Sequence, residues 1–369
     1  MQSRHFFDEA FRLAETVKGG TSPNPAVGCL LVSGDRVIGR GATQKAGKEH
    51  AEVMALREAG RKAKGTTMFV TLEPCVDFPG KRTPGCSGAI IAAGVREVVI
   101  GTEDPNPNVN GRGIEQLRAA GVRVRMETSR KESLLALNED FFKFIRTSLP
   151  FVYAKYAMTL DGNIADIDGG SQWISGDETL EVAHRLRNRV DAILVGIGTV
   201  KHDNPRLNVR IPERIKDPLR LVLDPRGETP PEHHVMNDHG RTLFVVEEGK
   251  VPDSFRENCE RHHKMILELP HNPGLAGISL AELFRRLGTE KKIASVMIEG
   301  GGSVLSRAFR ERVIDKVMCV VAPKLIGGRG IPPFNGNAPL DIARSLTLER
   351  SSAEIYGRDV LIQGYVKWD

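Results

Sequence analysis

Short, apolar, strand-like runs alternate with helical patterns along this chain, and the alternation restricts the fold more than any other feature. In the first half, strand-like runs at 67–72, 97–101 and 122–126 are separated by helical patterns at 86–93 and 113–120. Strands that alternate with helices predict an α/β fold, in which helices cover a sheet. The alternation resumes in the second half, and 369 residues are enough for two domains that each bury a core.

The predicted domain boundary lies at Ser148-Leu149-Pro150, where a helical pattern gives way to a strand-like run. The residue before a proline is biased out of the helical conformation, so a helix is expected to end here. We therefore predict domains of residues 1–147 and 148–369. The patterns also predict one continuous helix over 129–146 and an exposed loop over 224–240.

Composition sets limits on the kind of partner that this chain binds. The net charge is +5, and aromatic residues make up 5% of the chain. This mild basic charge suits a small anionic substrate as well as it suits nucleic acid, but no tract interleaves aromatic and basic residues as stacking on single-stranded nucleic acid would require. Because the chain shows neither a signal-peptide core nor a membrane-length apolar run, we expect a cytoplasmic protein with no nucleic-acid or membrane partner.

The five cysteines are too few for a disulfide framework in a chain of this length. Cys29 and Cys319 lie in apolar runs, so we predict that both are buried as small hydrophobic residues. Cys259 lies among charged residues, and we predict that its thiol is at the surface. The remaining two, Cys75 and Cys86, belong to a motif.

The motif His50-Ala51-Glu52, followed by Pro74-Cys75 and then Cys86, predicts a zinc site. One imidazole and two thiolates can bind zinc and leave its fourth position open to water. The pattern H-x-E, then P-C, then a second Cys is the signature of zinc deaminases, in which the Glu is the general acid/base. We therefore predict His50, Cys75 and Cys86 as metal ligands, Glu52 as the catalytic residue, and hydrolytic removal of an amino group from a heterocyclic base.

The predicted elements place these ligands where metal binding is favoured. His50 and Cys86 are each predicted to open a helix, and Cys75 follows a strand end. A thiolate at a helix N-terminus has a lowered pKa, because unpaired N–H groups and the helix dipole favour the anion. A structural zinc would require a fourth protein ligand. Residues 51–150 contain no His and no further Cys, so an open, catalytic site is favoured.

A glycine-rich segment in the second half, Glu299-Gly300-Gly301-Gly302-Ser303, lies between a predicted strand and a predicted helix. Glycines let the backbone approach a phosphate, and a helix N-terminus favours an anion. The same glycines could equally serve close packing of the helix on the strand. Neither this segment nor the one at 195–199 has the G-x-G-x-x-G pattern of Rossmann folds, so the glycines alone leave both possibilities open.

Longer motifs carry a resemblance to a known family. They lie at 23–28, 50–52, 71–75, 81–86, 104–107, 110–113, 155–162, 171–175, 198–199, 203–205 and 299–301. The first half resembles the cytidine-deaminase superfamily, and essentially the whole chain resembles the bifunctional deaminase/reductases of riboflavin biosynthesis. The resemblance implies an N-terminal cytidine-deaminase-like three-layer α/β/α domain and a C-terminal dihydrofolate-reductase-like α/β domain.

The resemblance also implies cofactors and site residues, namely Zn²⁺ in the first domain and NADPH in the second. The implied substrate contacts are Asn24, Ser171, Arg187, Leu207, Arg210 and Glu299. The implied cofactor contacts are Ala157, Trp173, Thr199, Asp203, Gly301, Gly302, Ser303, Val304, Leu305, Ser306 and Arg307. The two arginines are of a type that can bind a sugar phosphate. From the residues alone, Asn24 could equally form a turn, Trp173 could be a core aromatic residue, and Arg187 could lie on a solvated helix face.

One departure from the family's pattern lies between Cys75 and Cys86, where the loop is longer than usual and contains Val76-Asp77-Phe78-Pro79. The metal ligands can still converge if the loop bulges outward, because loop length by itself costs little free energy. The departure puts in doubt how the loop touches substrate.

The implied function is two consecutive steps of riboflavin synthesis, carried out by an enzyme that we expect to be a homo-oligomer. The first domain would deaminate 2,5-diamino-6-ribosylamino-4(3H)-pyrimidinone 5′-phosphate. The second would reduce the ribosyl group with NADPH and give 5-amino-6-(5-phosphoribitylamino)uracil. Three alternatives stay open: a nucleic-acid-directed zinc deaminase with an appended binding domain, a non-catalytic protein that keeps zinc for folding, and an enzyme whose longer Cys75–Cys86 loop has disabled the first domain.

Overall fold

The computed structural model describes residues 2–81, 83–170, 173–275, 277–334 and 345–368. The chain divides into two compact units, Met1–Ser148 and Leu149–Asp369. The described part of the first unit contains α1 (Gln2–Val17), β1 (Gly28–Ser33), β2 (Arg36–Ala42), α2 (Ala51–Ala59), β3 (Thr67–Val70), α3 (Cys86–Ala92), β4 (Glu97–Ile100), α4 (Arg112–Ala119), β5 (Arg123–Met126), α5 (Lys131–Leu137) and α6 (Glu139–Thr147).

The first unit has three layers, with one sheet between two sets of helices. Its described strands pair in the order β2-β1-β3-β4-β5, where β1 is antiparallel to β2 and β3 and the rest are parallel. One face packs side chains of α1 and α5, and the other packs side chains of α2, α3, α4 and α6. The predicted three-layer α/β/α architecture is therefore confirmed.

Strand β2 fixes where α2 begins. Gly41 on β2 lies against the first residue of α2, and a Cβ atom at Gly41 would be 1.9 Å from the Ala51 carbonyl oxygen. Only glycine allows so close an approach of helix backbone to strand. This contact sets the position of the two residues that flank Ala51, which are His50 and Glu52.

The second unit is built on a larger sheet. Its described elements are β6 (Phe151–Thr159), α7 (Asp177–Arg189), β7 (Ala192–Gly196), α8 (Ile197–Asp203), β8 (Leu219–Leu223), α9 (His234–Asn237), β9 (Thr242–Glu247), α10 (Asp253–Arg261), β10 (Met265–Leu269), α11 (Leu280–Lys291), β11 (Ser295–Glu299), α12 (Gly302–Arg310), β12 (Lys316–Ala322), β13 (Leu348–Tyr356) and β14 (Asp359–Val366). The described strands pair in the order β10-β9-β8-β7-β11-β6-β12-β14-β13.

The strands from β10 to β12 in this order are all parallel, so their carboxyl ends lie along one edge of the sheet. Strands β14 and β13 continue it in antiparallel fashion. Side chains of α11 and α12 cover one face, and side chains of α7, α8, α9 and α10 cover the other. Ligands of such sheets bind outside the carboxyl ends of the strands, and this edge is where the candidate site of the unit lies.

The structure corrects three sequence-based predictions, two about secondary structure and one about the burial of a cysteine. The predicted helix over 129–146 is two helices, because Asn138 leaves the helical conformation and its side chain hydrogen bonds with the backbone N–H and C=O of Ala26. Cys259 is buried, because it lies with Phe255 on the apolar side of α10. The predicted loop over 224–240 contains the short helix α9. The predicted burial of Cys29 and Cys319 is confirmed.

No helix in the described part of the chain is both long enough and apolar enough to cross a membrane.

Candidate active sites

Three metal-binding side chains converge in the first unit. His50 is the residue before α2, Cys86 is the first residue of α3, and Cys75 lies in the loop that follows β3. The His50 Nδ1 atom is 3.5 Å from the Cys75 Sγ atom and 3.3 Å from the Cys86 Sγ atom, and the three candidate ligand atoms lie within 4.8 Å of one another. One imidazole nitrogen and two sulfurs at this spacing fit a zinc ion with an open fourth position.

Glu52 faces this cluster from the first turn of α2 and is 4% exposed. Burial raises the pKa of Glu52 to about 7, because a carboxylate loses hydration there, and the charge of Cys75 adds to the effect. The Cys86 side chain is one of the groups that interact with the Glu52 carboxyl group, which therefore lies next to a metal ligand. A carboxyl group with a pKa near neutrality can both accept and donate a proton.

The longer loop between Cys75 and Cys86 does not separate the two cysteines. The Gly85 N–H donates to the Asp77 carboxylate at 2.8 Å, which closes the loop just before α3 begins. The Lys81 ammonium donates to the carbonyl oxygens of Thr83 and Pro84, so the loop carries its own hydrogen bonds. The ligands converge although the loop is longer.

A buried carboxylate that sequence reasoning missed organises the segment around the cysteines. Glu73, 2% exposed, accepts four backbone N–H donors from one neighbouring segment, at distances from 2.9 to 3.2 Å, namely those of Asp104, Gly111, Gly113 and Ile114. These donors include the first turn of α4. Glu73 therefore connects the loop that carries Cys75 to residues 104–114. The only signal in the sequence is an acidic residue directly before Pro74-Cys75.

Asp104, on the segment that Glu73 holds, is also buried. Burial, together with the nearby negative charges of Glu73, Cys75 and Glu52, raises the pKa of Asp104 to about 7. These interactions show that the Asp104 carboxyl group lies near the predicted metal site. Asp104 belongs to a motif of the sequence analysis, but no role followed from its pattern.

We expect Glu73→Gln to lower the free energy of unfolding of the first unit by about 2–3 kcal/mol, because an amide NH₂ would face buried N–H donors that lose their acceptor. Urea unfolding monitored on the whole chain checks this value. Glu103→Gln, at an exposed position beside the same segment, is the matched control. Equal stability of the two variants would show that Glu73 does not hold the segment.

In the second unit, a cleft of about 630 Å³ lies at the carboxyl ends of β6, β11 and β7. Its size is within the usual range for small-molecule and cofactor sites. The cleft is lined by these predicted site residues: Ala157, Trp173, Arg187, Thr199, Asp203, Leu207, Arg210, Glu299, Gly301, Gly302 and Ser303. The strand order thus brings together residues that are far apart in the sequence.

A buried ion cluster forms the floor of the cleft. The Arg187 Nε and Nη2 atoms donate to both oxygens of Glu299 at 2.9 and 2.8 Å, and the Lys155 Nζ atom is 3.8 Å from Glu299. Although burial alone would raise the pKa of Glu299, the Arg187 and Lys155 charges lower it to about 2. Arg187 therefore does not lie on a solvated helix face, and its guanidinium group is paired with Glu299, while its predicted contact with substrate stays a prediction.

Two further residues of the cleft were missed by the sequence analysis. Lys155 is a charged residue within the buried strand β6, and that contrast is the signal that could have identified it. His184 lines the cleft, and its Nδ1 atom accepts the backbone N–H of Arg210 at 3.3 Å. Burial, followed by the charges of Arg187 and Arg210, lowers the pKa of His184 to about 4, so its imidazole is neutral at neutral pH.

The glycine-rich segment forms one wall of the cleft at the start of α12. Gly300 and Gly301 have φ values of 79° and 74°, and a Cβ atom at Gly301 would be 3.1 Å from the Thr199 Oγ1 atom. Backbone in this conformation, at the N-terminus of a nine-residue helix, suits a phosphate group. The same glycines also allow close packing of the segment against Thr199, and the phosphate contact stays a prediction.

The remaining predicted residues lie elsewhere. Val304 and Leu305 are buried in the core, Ser306 is buried, and Arg307 lines a second cavity. Trp173 is 63% exposed in the cleft and is not a core aromatic residue. The backbone of Asn24 hydrogen bonds with Thr21 in a turn before β1. Ser171 lies outside the described residues.

Comparison with known families places each half of the chain. Residues 1–102 match the family model described as the cytidine and deoxycytidylate deaminase zinc-binding region. Residues 150–362 match the family model described as the RibD C-terminal domain. Because the RibD C-terminal domain accounts for most of the second half, the alternative of an appended nucleic-acid-binding domain is not favoured.

Several relatives match along almost the whole chain. The riboflavin biosynthesis protein RibD of Aquifex aeolicus is 38% identical over 97% of both chains, and that of Escherichia coli is 36% identical over 91% of this chain and 92% of its own. Acinetobacter baumannii RibD has a TM-score of 0.86 at 32% identity and covers 100% of this chain and 99% of its own. A Thermotoga maritima structure, described as a diaminohydroxyphosphoribosylaminopyrimidine deaminase/5-amino-6-(5-phosphoribosylamino)uracil reductase, has a TM-score of 0.84 at 32% identity and covers 99% of both chains. With a zinc-binding deaminase half and a reductase half, this chain belongs to the RibD family of bifunctional deaminase/reductases of riboflavin biosynthesis.

Proposed function

We propose that residues 1–147 form the deaminase domain and residues 148–369 the reductase domain, and that they act in this order on one substrate. The first reaction replaces the 2-amino group of 2,5-diamino-6-ribosylamino-4(3H)-pyrimidinone 5′-phosphate with oxygen from water and releases ammonia. The second adds a hydride and a proton to the ribosyl group and gives 5-amino-6-(5-phosphoribitylamino)uracil. The convergence of His50, Cys75 and Cys86 beside a buried Glu52 carries this proposal.

In the deaminase domain, His50, Cys75 and Cys86 would hold the zinc ion. Bound zinc lowers the pKa of its water and so supplies a nucleophile near neutral pH. Glu52 is placed to take a proton from the attacking water and to deliver it to the departing amino group, because its carboxyl group lies beside the ligands and titrates near neutrality. Asp104 and Asn24 would then contact the pyrimidine ring, whose amide-like edge pairs with carboxyl and amide groups.

In the reductase domain, the cleft at the carboxyl edge of the larger sheet would hold both NADPH and the substrate. NADPH supplies the hydride, and the residues of the cleft align it with C1′ of the open-chain, imine-like ribosylamine. We assign cofactor contacts to Ala157, Trp173, Thr199, Asp203 and the Gly301–Arg307 segment. Substrate contacts are assigned to Ser171, Arg187, Leu207, Arg210 and Glu299.

Within the cleft, Arg187 and Arg210 have different roles. The fork of Arg187 holds Glu299, so we assign Arg187 to the orientation of that carboxylate toward the ribityl hydroxyls. The side chain of Arg210 is exposed at the cleft and donates to Asn208, so we assign it to the substrate phosphate. This division supports a substrate that carries both hydroxyls and a phosphate.

We further propose a cytoplasmic homo-oligomer without a nucleic-acid partner. The basic charge of the chain is mild, and the cleft carries the cations Lys155, Arg187, Arg206 and Arg210 together with the carboxylates of Glu299 and Asp203. A cleft of mixed charge suits a small phosphate ester better than a polyanion. Size-exclusion chromatography with light scattering tests the oligomeric state.

The proposed order of reactions is tested with the purified chain, the diaminopyrimidine ribosyl phosphate and NADPH. We expect one ammonia released for each NADPH oxidised, and ammonia alone when NADPH is omitted. Prior treatment with a zinc chelator should abolish both signals, and supplying the deaminated substrate should restore NADPH oxidation in the chelated protein. Oxidation of NADPH by the diamino substrate without ammonia release would contradict the proposed order.

A further inference from the structure

The segment between α1 and β1 carries Asn24, which we assign to the pyrimidine ring, and residues 18–26 are called the Asn24 loop below. The Asn24 N–H donates to the Thr21 carbonyl oxygen at 3.0 Å, and the Thr21 hydroxyl donates to the Asn24 carbonyl oxygen at 3.0 Å. These two bonds shape the turn, but they do not connect it to the rest of the unit. The position of Asn24 therefore depends on what holds the two ends of the loop.

Asn138 holds the C-terminal end of the Asn24 loop. Its side chain lies in the interior, because the residue is 1% exposed. The Asn138 Oδ1 atom accepts the Ala26 N–H at 2.8 Å, and the Asn138 Nδ2 atom donates to the Ala26 carbonyl oxygen at 3.0 Å. One amide group thus pairs with both backbone polar groups of a single residue, as two opposite residues of an antiparallel sheet do. Because unpaired buried backbone groups are costly, this pairing fixes Ala26 to the junction of α5 and α6.

A buried ion pair holds the N-terminal end of the same loop. Lys18, which directly follows α1, pairs with Asp140 in the first turn of α6, and the two side chains are 10% and 8% exposed. Breaking a buried ion pair leaves an uncompensated charge, so such a contact is held firmly. Residues 138–140 are therefore attached to both ends of the Asn24 loop.

The loop continues into the part of the sheet that carries the metal ligands. The Gly28 N–H, at the start of β1, donates to the Thr71 hydroxyl at 3.1 Å, and the Gly28 carbonyl oxygen accepts the Thr71 N–H at 3.1 Å. Thr71 directly follows β3 and lies in the segment that leads to Cys75. The contacts of residues 138–140 described above go to the loop instead, and these residues lie outside the match to the deaminase zinc-binding region, which spans residues 1–102. The attachment thus serves the loop that carries Asn24, in addition to the sheet contacts near the metal ligands.

We propose that Asn138 is a positioning residue of the deaminase reaction, which acts through Ala26 to hold Asn24 where the pyrimidine ring binds. The inference rests on the proposed deaminase function and on the assigned contact between Asn24 and the ring. A displacement of about 1 Å in a positioned group can cost about 10²-fold in rate. Because Asn24 would contact the ring in the bound substrate as well as in the transition state, loss of its position weakens substrate binding and raises KM.

The test is a double-mutant cycle of Asn24→Ala and Asn138→Ala in the full chain, with ammonia release from the diaminopyrimidine ribosyl phosphate as the signal. We expect each single variant to raise KM about tenfold, to keep kcat within about threefold of the wild type and to retain its zinc. The double variant should have the KM of Asn24→Ala alone, because Asn138 acts through Asn24. An additive rise of about a hundredfold in the double variant, or an unchanged KM in Asn138→Ala, would overturn the proposal.

A loss of stability alone would change a different quantity. Fewer folded molecules lower the apparent kcat, but the KM of the remaining folded molecules is unaffected. Val124→Ala is the matched control, because Val124 is half-buried on β5, three strands away from β1 in the described sheet. It should lower the midpoint of urea unfolding, as Asn138→Ala does, and keep the KM of the wild type. A KM that rises equally in this control would contradict the positioning role.

If Asn138→Ala does not fold, the same cycle is measured with Asn138→Asp, which keeps an acceptor for the Ala26 N–H and loses the donor to its carbonyl oxygen. If the wild type releases ammonia but the effects are additive, only the positioning role has failed. If Asn24→Ala has the KM of the wild type, the assigned ring contact and the inference fail together, while the deaminase function stands. If the wild type releases no ammonia from this substrate, the deaminase function itself has failed and the inference with it.

Discussion

Replacing Glu52 with glutamine is expected to lower the rate of ammonia release by about 10²–10⁴-fold, while the chain keeps its zinc and its reductase activity. The amide has nearly the same shape as the carboxyl group, but it cannot take a proton from water and pass it to the leaving amino group. Because Glu52 is not among the converging ligand atoms, the metal should remain bound. Ammonia release, zinc content and NADPH oxidation with the deaminated substrate are measured on the same preparation.

The control for this prediction is Glu115→Gln, which changes an exposed glutamate in the first turn of α4. It should release ammonia at the wild-type rate. If Glu52→Gln releases ammonia at the same rate as this control, the result would support the non-catalytic alternative, in which the zinc is structural. Loss of zinc together with loss of ammonia release would show instead that Glu52 supports the metal.

Replacing Glu299 with glutamine is expected to lower the free energy of unfolding of the second unit by about 3 kcal/mol and to reduce reductase activity by about 10²-fold. The side chains of Glu299, Arg187 and Lys155 are 15%, 13% and 11% exposed, so the variant leaves two largely buried cations without their counter-charge. The matched control is Glu290→Gln, whose exposed pair with Arg286 should contribute less than about 1 kcal/mol. Denaturant unfolding and steady-state kinetics check the two effects.

The same carboxylate makes stability depend on pH in a defined window. The pKa of Glu299 is lowered from its ordinary value of 4.5 to about 2, so the unfolded chain binds a proton more readily than the folded chain. Its contribution is therefore fully present above about pH 4.5 and is lost as the pH falls from 4.5 through 2. The stability of the wild type should fall more steeply over this range than that of Glu299→Gln, and parallel curves would show that Glu299 is not held as a carboxylate.

Local patterns in the sequence were sufficient for most of the elements and for the three residues whose ligand atoms converge. His50 and Cys86 lie where helices begin and Cys75 lies in the loop after a strand, and the alternation of strands and helices brings such positions together at a sheet edge. Glu52 follows from its spacing in the motif. These features are encoded within a few residues, so the structure retains them even with the longer Cys75–Cys86 loop.

Contacts between distant segments could not be predicted in this way. Asn138 ends a helix because its amide group pairs with Ala26, which is 112 residues away in the sequence. Glu73 acquires its role only when residues 104–114 fold over it, and the pair between Arg187 and Glu299 joins residues that are 112 positions apart. No periodicity or short motif contains such information.

The second cavity illustrates the same difference. Arg226, Lys250 and His271 belong to three separate loops, and only the strand order β10-β9-β8 makes them neighbours. In the sequence each is an ordinary charged or polar loop residue, with no pattern that relates it to the other two.

The central claim, that His50, Cys75 and Cys86 form a catalytic zinc centre served by Glu52, is tested most directly by titrating zinc into the metal-free chain while ammonia release is followed. The account predicts no ammonia without metal, a linear rise in rate with added zinc, and a sharp plateau at one zinc per chain. Full ammonia release by the metal-free chain would contradict the account. So would a rate of ammonia release that does not change as zinc is added and binds.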